Sequence, residues 1–207
     1  MDDSDRRAHW ENVYSTKTEQ QVSWFQEKPT VSLDLIGATN VSRAAAIIDV
    51  GGGASRLVDA LVKEGYRSVT VLDVSEAALA ISRARLGSRA SEVEWIAADV
   101  TKWEPTTSFD VWHDRATFHF LTEAEERTAY VFTLAKALRV GGHAIIGTFA
   151  LDGPERCSGL PVVRYDATFL GKTLGPAFRL IETRRQEHLT PMGGVQRFQF
   201  SRFERIE

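Results

Sequence analysis

Short apolar runs alternate with amphipathic stretches along the middle of the chain. The runs are rich in β-branched residues and have the length of buried strands, whereas the stretches between them have helical spacing. The runs predict strands at Ala45–Val50, Ser68–Leu72, Val93–Ala97, Phe109–Trp112 and His143–Phe149. The stretches predict helices at Ser55–Glu64, Glu76–Leu86 and Glu123–Leu138. We expect Gly141 and Gly142 to close the last helix as a C-cap. Strands that alternate with helices indicate a mainly parallel α/β sheet with helices on both faces.

The two ends of the chain depart from this alternation. Residues 5–40 predict one or two helical segments that carry several aromatic side chains. Phe178–Leu189 and Val195–Phe203 are strand-like, and the turn-forming residues 191–194 join them. The pattern therefore predicts a C-terminal antiparallel hairpin at the end of the sheet and a single domain over residues 1–207.

Charge and cysteine content narrow the classes of partner. Lys and Arg number 25 against 28 Asp and Glu, which gives a formal net charge of −3, whereas nucleic-acid binders usually have a basic surplus. We therefore expect no nucleic-acid partner. Cys157 is the one cysteine and the five histidines lack metal-ligand spacing, so we expect neither an internal disulfide nor a bound metal.

Apolar stretches long enough for a membrane are absent from the sequence. None approaches the ~18 apolar residues that a membrane helix needs, and residues 1–14 lack the apolar core of a signal peptide. We therefore expect no membrane partner and a cytoplasmic location. The oligomeric state stays open.

Three consecutive glycines, Gly51 to Gly53, follow the first predicted strand directly. Glycines at this place let the backbone turn sharply and let a ligand lie against the main chain. The helix that begins behind them offers unpaired N–H groups. A glycine-rich turn by itself occurs in many folds, so this segment needs support from other positions.

Acidic residues end three successive strands beside this turn. Asp49 lies just ahead of the glycines, Asp73 ends the second strand, and Asp99 follows the third. Asp73 lies 22 residues beyond Gly51, close to the spacing of about 20 residues for an acid that binds ribose hydroxyls. A single such Asp is more often a turn former or helix cap. Three of them in register at one sheet edge indicate a ligand site.

These segments resemble an ordered motif set. Residues 49–55, 71–75, 98–100, 109–111 and 138–142 are together similar to the motifs of class I methyltransferases that use S-adenosylmethionine (SAM). The resemblance runs from about residue 45 to 150 and implies a Rossmann-like, mainly parallel seven-stranded sheet. It departs from the family at Ser55, where a third glycine is common, although Ser can also cap the following helix.

The resemblance implies SAM as cofactor and S-adenosylhomocysteine as product. It places Gly51 and Gly53 against the methionine part, Asp73 on the ribose hydroxyls, Asp99 at the adenine amine and Asp49 near the methionine amino group. The full set of expected cofactor-binding residues is Asp49, Gly51, Gly52, Gly53, Asp73, Val74, Asp99, Val100 and Trp24.

Two other functions compete with methyl transfer. An NAD-dependent oxidoreductase uses the same sheet edge and the same ribose acid, but Gly51-x-Gly53-x-x-Arg56 lacks the third glycine of the dinucleotide fingerprint. A SAM-binding protein without catalysis is the other alternative. His113 and Asp114, which follow the fourth strand, favour catalysis over mere binding.

A narrower resemblance concerns the acceptor. Residues 113–118, with Trp10, Tyr14 and Trp24, are similar to a subgroup that includes protein-lysine methyltransferases with an Asp-Lys-Gly-Thr stretch, although Arg115 and Ala116 differ from it here. Small-molecule methyltransferases with a Trp-rich first helix look alike. We favour a small-molecule acceptor, with a protein lysine as the alternative.

The candidate catalytic residues are His113, Asp114 and His119. His113 is a possible base near neutral pH and Asp114 a possible acceptor-binding group. The alternative for His113 is a hydrogen-bonded turn residue, and for His119, between two phenylalanines, a role in the pocket wall or in packing is favoured.

Two further segments are expected over the site. Residues 1–40 predict a helical lid, because aromatic faces attract a sulfonium cation, although helical spacing of aromatics also suits core packing. Residues 150–170 predict a loop near the acceptor. Its Arg156, Arg164 and Tyr165 are candidate substrate-binding residues, with solvated loop charges as the alternative for the two arginines.

Overall fold

The computed structural model describes residues 3–207, with Asp3 and Ser4 described through their backbone only. The strands are β1 (Ala46–Val50), β2 (Ser68–Asp73), β3 (Val93–Ala97), β4 (Phe109–Arg115), β5 (Leu138–Phe149), β6 (Arg156–Cys157), β7 (Leu160–Pro161), β8 (Phe178–Leu189) and β9 (Val195–Arg205). The α-helices are α1 (Asp3–Thr16), α2 (Thr30–Gly37), α3 (Leu57–Lys63), α4 (Glu76–Leu86), α5 (Ala124–Ala137) and α6 (Ala167–Leu174).

Seven strands form one sheet in the order β3-β2-β1-β4-β5-β9-β8. The pairs from β3 through β5 are parallel, and β9 pairs antiparallel with both β5 and β8. The expected seven-stranded Rossmann-like sheet with a C-terminal antiparallel hairpin is thus confirmed. The chain leaves β1 in one direction and returns at β4, so the edge between β1 and β4 is the switch point where such sheets bind ligands.

Helices cover both faces of the sheet because successive apolar side chains along a strand point to opposite faces. Ile47 of β1 packs on the face that α2, α3 and α4 cover, and its neighbour Ile48 packs on the face of α5 and α6. Ser75 begins α4 as its N-cap, where its hydroxyl accepts a hydrogen bond from Ala78 N at 3.1 Å. No helix among residues 3–207 combines the length and apolar character needed to cross a bilayer.

Two boundaries differ from the sequence prediction. Strand β4 continues through His113 and Asp114 to Arg115, because these residues pair with β1 or β5. The predicted glycine C-cap is wrong: α5 ends at Ala137, and Gly141 and Gly142 lie within β5. The pairing of β5 with β4 shifts register here. A Cβ on Gly142 would lie 3.0 Å from Asp110 O, so the glycine serves close strand approach rather than helix termination.

Candidate functional site

A cavity opens at the carboxyl ends of β1, β2 and β3, beneath helix α1. Its empty volume, including the space open to solvent, is about 580 Å³. We call it the edge cavity. Its lining comprises Arg6, Trp10, Tyr14, Val50, Gly51, Leu72, Asp73, Val74, Ala98, Asp99, Val100, Ala116, Thr117, Phe120 and Leu121. The ends of β1, β2 and β3, where the sequence has Gly51, Asp73 and Asp99, therefore line one cavity.

Each of the three glycines in the turn packs so closely against its neighbours that a side chain would not fit. Gly51 has φ +67°, and a Cβ there would overlap the Thr117 hydroxyl. A Cβ on Gly52 would overlap the Asp49 carboxylate, and one on Gly53 would lie 2.5 Å from Asp73 Oδ2. Gly51 lines the cavity, whereas Gly52 and Gly53 bring the turn against the two acids.

Asp73 is nearly buried between the glycine turn and the start of α4. Its Oδ2 accepts a hydrogen bond from Gly53 N at 3.0 Å, and its Oδ1 accepts one from Ser75 N at 2.9 Å. Burial raises the pKa of Asp73 to about 6, although these two hydrogen bonds oppose the rise. A carboxylate has about four lone-pair sites, so about half of them stay free to accept hydrogen bonds from hydroxyl groups in the cavity.

Asp99 lies on the far side of the edge cavity and already has three hydrogen bonds. Its Oδ1 accepts from the backbone and the hydroxyl of Thr101 at 2.8 and 2.7 Å, and its Oδ2 accepts from Arg6 Nη1 at 2.9 Å. Arg6 also pairs with Glu126 of α5. One arginine of α1 therefore joins the end of β3 to α5 across the cavity.

Helix α1 covers the cavity with its aromatic side chains. Trp10 makes edge contacts with Trp24 and Phe120 at ring distances of 5.6 and 5.1 Å. Glu11 accepts hydrogen bonds from the backbone N–H groups of Glu76 and Ala77 at 2.6 and 3.2 Å, at the start of α4. Residues 1 and 2 of the predicted lid lie outside the described residues.

Asp49 and His113 form a buried pair under the glycine turn. Because a carboxylate only accepts hydrogen bonds, His113 Nδ1 donates to Asp49 Oδ1 at 2.7 Å, and the Ser32 hydroxyl is the hydrogen-bond partner of Nε2 at 2.9 Å. Asp49 does not line the edge cavity. Its predicted contact with the methionine amino group stays a prediction, and the visible partner of Asp49 is His113.

Asp114 is fully buried on the other face of β4. It accepts hydrogen bonds from the Tyr130 hydroxyl at 2.6 Å and from the backbone N–H groups of Thr117 and Phe118 at 2.9 and 3.1 Å. Burial raises its pKa to about 6, against the opposing effect of these hydrogen bonds. These contacts fix the turn that presents Thr117 to the edge cavity, whereas Asp114 itself does not line it.

His119 is fully buried between the rings of Phe120 and Phe149. Its Nδ1 accepts a hydrogen bond from Phe149 N at 3.3 Å, and its Nε2 has no partner among residues 3–207. Burial, with a smaller contribution from Arg115, lowers the pKa of His119 to about 3. The ring is therefore neutral near pH 7 and a weak base there.

A second cavity lies across Trp24 from the first, between residues 19–32, the turn at 54–56 and the end of β4. We call it the Arg115 cavity. The Arg115 guanidinium lies 4.6 Å above the Phe198 ring and donates from Nη1 to Trp24 O at 2.9 Å. Trp24, expected to bind the cofactor, lines this cavity and contacts Trp10. His113 also lines it.

The three candidate substrate-binding residues of the 150–170 loop lie outside both cavities. Arg156 bonds to Gly159 O, and Arg164 bonds to Gly153 O at 3.2 Å and to Glu155 at 3.0 Å, so the two arginines stabilise the loop itself. Tyr165 is fully buried, stacks on Phe169 at 4.9 Å, and its hydroxyl has no partner. Burial raises its pKa to about 12. Their roles toward a substrate stay predictions.

Sequence reasoning missed Arg6 and Thr117 as cavity residues. Arg6 was detectable, because it shares with Trp10 and Tyr14 the four-residue spacing that places side chains on one helix face. Thr117 was not, because its place depends on where β4 ends. Within residues 3–207, no group of three or more His, Cys, Asp and Glu side chains could hold a metal ion.

The chain is similar to methyltransferases in sequence and structure. Residues 47–142 match a family model described as a methyltransferase domain. The chain is 27% identical over 223 residues to the eEF1A lysine and N-terminal methyltransferase of Bos taurus, a match that covers 89% of this chain and 31% of that protein. The chain thus spans about a third of the length of this curated relative.

Solved structures share the fold. A SAM-dependent methyltransferase from Anabaena variabilis superposes with a TM-score of 0.76 at 15% identity, covering 98% of this chain and 94% of that one. The Burkholderia thailandensis 1,6-didemethyltoxoflavin-N1-methyltransferase, with 1,6-didemethyltoxoflavin and S-adenosylhomocysteine bound, superposes with a TM-score of 0.71 at 20% identity, covering 99% and 87%. Identities this low show a common fold alone.

Proposed function

We propose that this chain, a class I SAM-dependent methyltransferase by its fold and by the methyltransferase-domain model that matches residues 47–142, transfers a methyl group from SAM to a small nucleophilic acceptor. The observation that carries the proposal is the edge cavity. It joins a bare glycine backbone to two buried acids at the switch point of the sheet.

The residues of the edge cavity fit SAM. Asp73 keeps free lone pairs for the two ribose hydroxyls, and Gly51, whose Cβ position the Thr117 hydroxyl occupies, brings bare backbone to the cavity wall. Asp99 Oδ2 can accept a further hydrogen bond beside Arg6, and an adenine amine would supply it. Val74 and Val100 give the cavity apolar walls for a base. Together these residues match the adenosine part of SAM.

The chain contributes position and enclosure to the reaction. SAM supplies a methyl group that its sulfonium already activates. Trp10 and Tyr14 cover the cavity from α1, so they exclude water and present aromatic faces that attract a cation. Catalysis then consists mainly of holding the acceptor in line with the methyl group. His113, which Asp49 orients, is the candidate for a proton acceptor, and Asp114 acts by fixing the turn at Thr117.

A small-molecule acceptor suits the covered cavity. Helix α1 is held over it at two points, by Arg6 on Asp99 and by Glu11 on the start of α4, so the cavity is covered from that side. Protein lysine is the second candidate acceptor. It is favoured by the curated relatives, whose names describe lysine methyltransferases of eEF1A and whose matches to this chain are weak.

Calorimetric titration with SAM, S-adenosylhomocysteine and NAD⁺ tests the cofactor assignment. Gly51→Ala should weaken both sulfur ligands by at least about tenfold, because the added methyl group overlaps Thr117 and the φ of +67° suits glycine. Gly65→Ala is the matched control, since Gly65 has φ +87° but nothing within 4 Å of an added Cβ. It should bind as the wild type does.

Binding of NAD⁺ in place of SAM, or equal effects of the two glycine variants, would refute the cofactor assignment.

Catalysis and the class of acceptor need a second measurement. Transfer of a labelled methyl group from SAM should occur to a panel of small amines, thiols and carboxylic acids, and not to a protein extract. Labelling of protein alone would favour the lysine candidate, and SAM binding with no transfer to either would indicate a binding protein without catalysis.

A further inference from the structure

Arg115 is a part-buried cation whose hydrogen-bonding capacity is largely unused. Its Nη1 donates to Trp24 O, but Nε and Nη2 are shielded from solvent and have no partner. Within residues 3–207, no carboxylate forms an ion pair with this guanidinium, although the charge of Asp49 raises the Arg115 pKa from a longer distance. Arg56, which lines the same cavity, is by contrast paired with Glu19 and with Glu27. The two arginines differ in that only Arg115 lacks a directly paired carboxylate.

This arrangement is costly unless an anion joins it. A buried charge needs a partner and satisfied hydrogen bonds to offset its desolvation, and Arg presents parallel N–H donors that match a carboxylate. Burial lowers the pKa of Arg115 to about 10, so the guanidinium still carries its charge near neutral pH. The Phe198 ring, 4.6 Å from the guanidinium, gives some cation–π stabilisation but accepts no conventional hydrogen bond.

Arg115 and its unpaired N–H donors lie on the other side of the switch point from the proposed adenosine site. Asp73 and Asp99 end β2 and β3, on the side of β1 where the adenosine is proposed to bind. Arg115 ends β4, pairs with Gly147 of β5, and reaches over Phe198 of β9. Trp24 separates it from Trp10, which covers the edge cavity. The cavity thus adjoins the proposed methyl donor from the half of the sheet that the adenosine does not use.

We propose that the Arg115 cavity is a carboxylate-binding subsite, in which Arg115 anchors a carboxylate of the methyl acceptor against Trp24 and Phe25. The assignment to the acceptor rests on the proposed function. The same chemistry has one other source, the carboxylate in the methionine tail of SAM. The two sources are distinguishable, because 5′-methylthioadenosine retains the adenosyl thioether of S-adenosylhomocysteine but lacks its carboxylate.

The test uses Arg115→Gln and Arg115→Lys, with Arg43→Gln as the matched control. The Arg43 guanidinium also lies over an aromatic ring, 4.2 Å from Tyr66, but it is exposed and paired with Glu64. Affinities are measured for S-adenosylhomocysteine and 5′-methylthioadenosine. Benzoate and the uncharged benzamide are then titrated into the complex with S-adenosylhomocysteine. Melting temperatures check that each variant is folded.

We expect benzoate to bind the wild type and Arg43→Gln more tightly than benzamide does. Arg115→Gln should weaken benzoate by at least about tenfold, the loss of hydrogen bonds to a charged group, and Arg115→Lys by less. Both adenosyl ligands should be unaffected. If Arg115→Gln fails to fold, the preference of the wild type for benzoate and its partial loss in Arg115→Lys carry the same test.

Two other results have distinct meanings. Loss of S-adenosylhomocysteine affinity with 5′-methylthioadenosine unchanged would keep the carboxylate subsite but assign it to SAM, which overturns the acceptor assignment. No preference for benzoate together with unchanged S-adenosylhomocysteine affinity, or equal weakening of both adenosyl ligands, would overturn the subsite. If the wild type binds no adenosyl ligand, the proposed function fails, and benzoate binding to the free protein still tests the subsite.

Discussion

The surroundings of the Asp73 carboxylate disfavour its charged form. Burial raises its pKa to about 6, and the backbone N–H groups of Gly53 and Ser75 offset this only in part. The unfolded value is about 3.9, so ionised Asp73 disfavours the folded ligand-free protein above about pH 6 and has no such effect below about pH 4. Hydroxyl groups of a bound ribose would donate to the ionised form and reverse this cost.

Ligand affinity should therefore depend on pH through Asp73. We expect the affinity for 5′-methylthioadenosine to be constant above about pH 7 and to fall by up to tenfold per pH unit below about 6, as the carboxylate takes up the proton that competes with the ribose. This ligand has no carboxylate of its own to titrate. Calorimetry across this pH range measures the effect in the wild type and in Asp73→Asn.

Asp73→Asn removes the titrating group without changing its size. The variant should bind more weakly at neutral pH, by about 1.5–3 kcal/mol for hydrogen bonds to a charged group, and its affinity should be nearly flat with pH. A wild-type affinity that does not change between about pH 7.5 and 5 would contradict ribose binding by Asp73.

At the scale of elements, Tyr130 ties α5 to the end of β4. Its hydroxyl donates to Asp114 at 2.6 Å and accepts from Trp112 Nε1 at 2.8 Å, and all three side chains are fully buried. This hydrogen bond holds the pKa of Asp114 below the value that burial alone would give. The turn after β4, and with it Thr117 in the edge cavity, depends on Asp114.

Tyr130→Phe should destabilise the protein by about 1–3 kcal/mol, because it leaves a buried carboxylate short of a donor. The loss should be larger above about pH 6, where folded Asp114 is ionised, than below about pH 4, where it is protonated in both states. Urea unfolding at the two pH values measures it. Tyr165→Phe is the control, because Tyr165 is equally buried but its hydroxyl has no partner. Equal costs for the two variants would show that the Asp114 contact is not the cause.

Local sequence predicts the first three strands and their acids, because each strand is a short apolar run with an acidic residue at or just beyond its carboxyl end. It does not predict how far β4 extends, since His113 and Asp114 are polar and are strand residues only through their pairing with β1 and β5. The predicted boundary between α5 and β5 is wrong for a similar reason, because it depends on contacts with another strand. Gly142 has the appearance of a helix stop, but its absent side chain serves the approach of β4.

The candidate site residues likewise divide into those that local sequence predicts and those whose contacts depend on distant segments. That Gly51 and Asp73 lie in one cavity was predictable from their positions at the ends of neighbouring strands. The partner of Asp99 was not, because Arg6 lies 93 positions away along the chain. Arg115 was visible only as a departure from a motif, and the sequence does not show that its guanidinium lacks an anion. Contacts that bring distant segments together therefore decide what the predicted residues do.

Across the whole molecule, α1 joins parts that are far apart in the chain. Arg6 contacts Asp99 after β3 and Glu126 of α5, and Glu11 caps α4. Two of these residues, Arg6 and Asp99, line the edge cavity, so the stability of α1 and the enclosure of a ligand should be coupled. Segments that cover ligands open at low free energy compared with core strands, and amide hydrogen exchange detects such opening.

Arg6→Gln should accelerate exchange over α1 in the ligand-free protein by about tenfold or more, since hydrogen bonds to two carboxylates are lost. Arg7→Gln is the matched control, because Arg7 is exposed on the same helix. S-adenosylhomocysteine should slow exchange in α1 and in the turn at 115–121, and leave the β8–β9 hairpin unchanged. If α1 exchanges at the same rate in all three proteins, with and without ligand, then this helix does not close over the cavity, and the enclosed site that favours a small acceptor loses its physical basis.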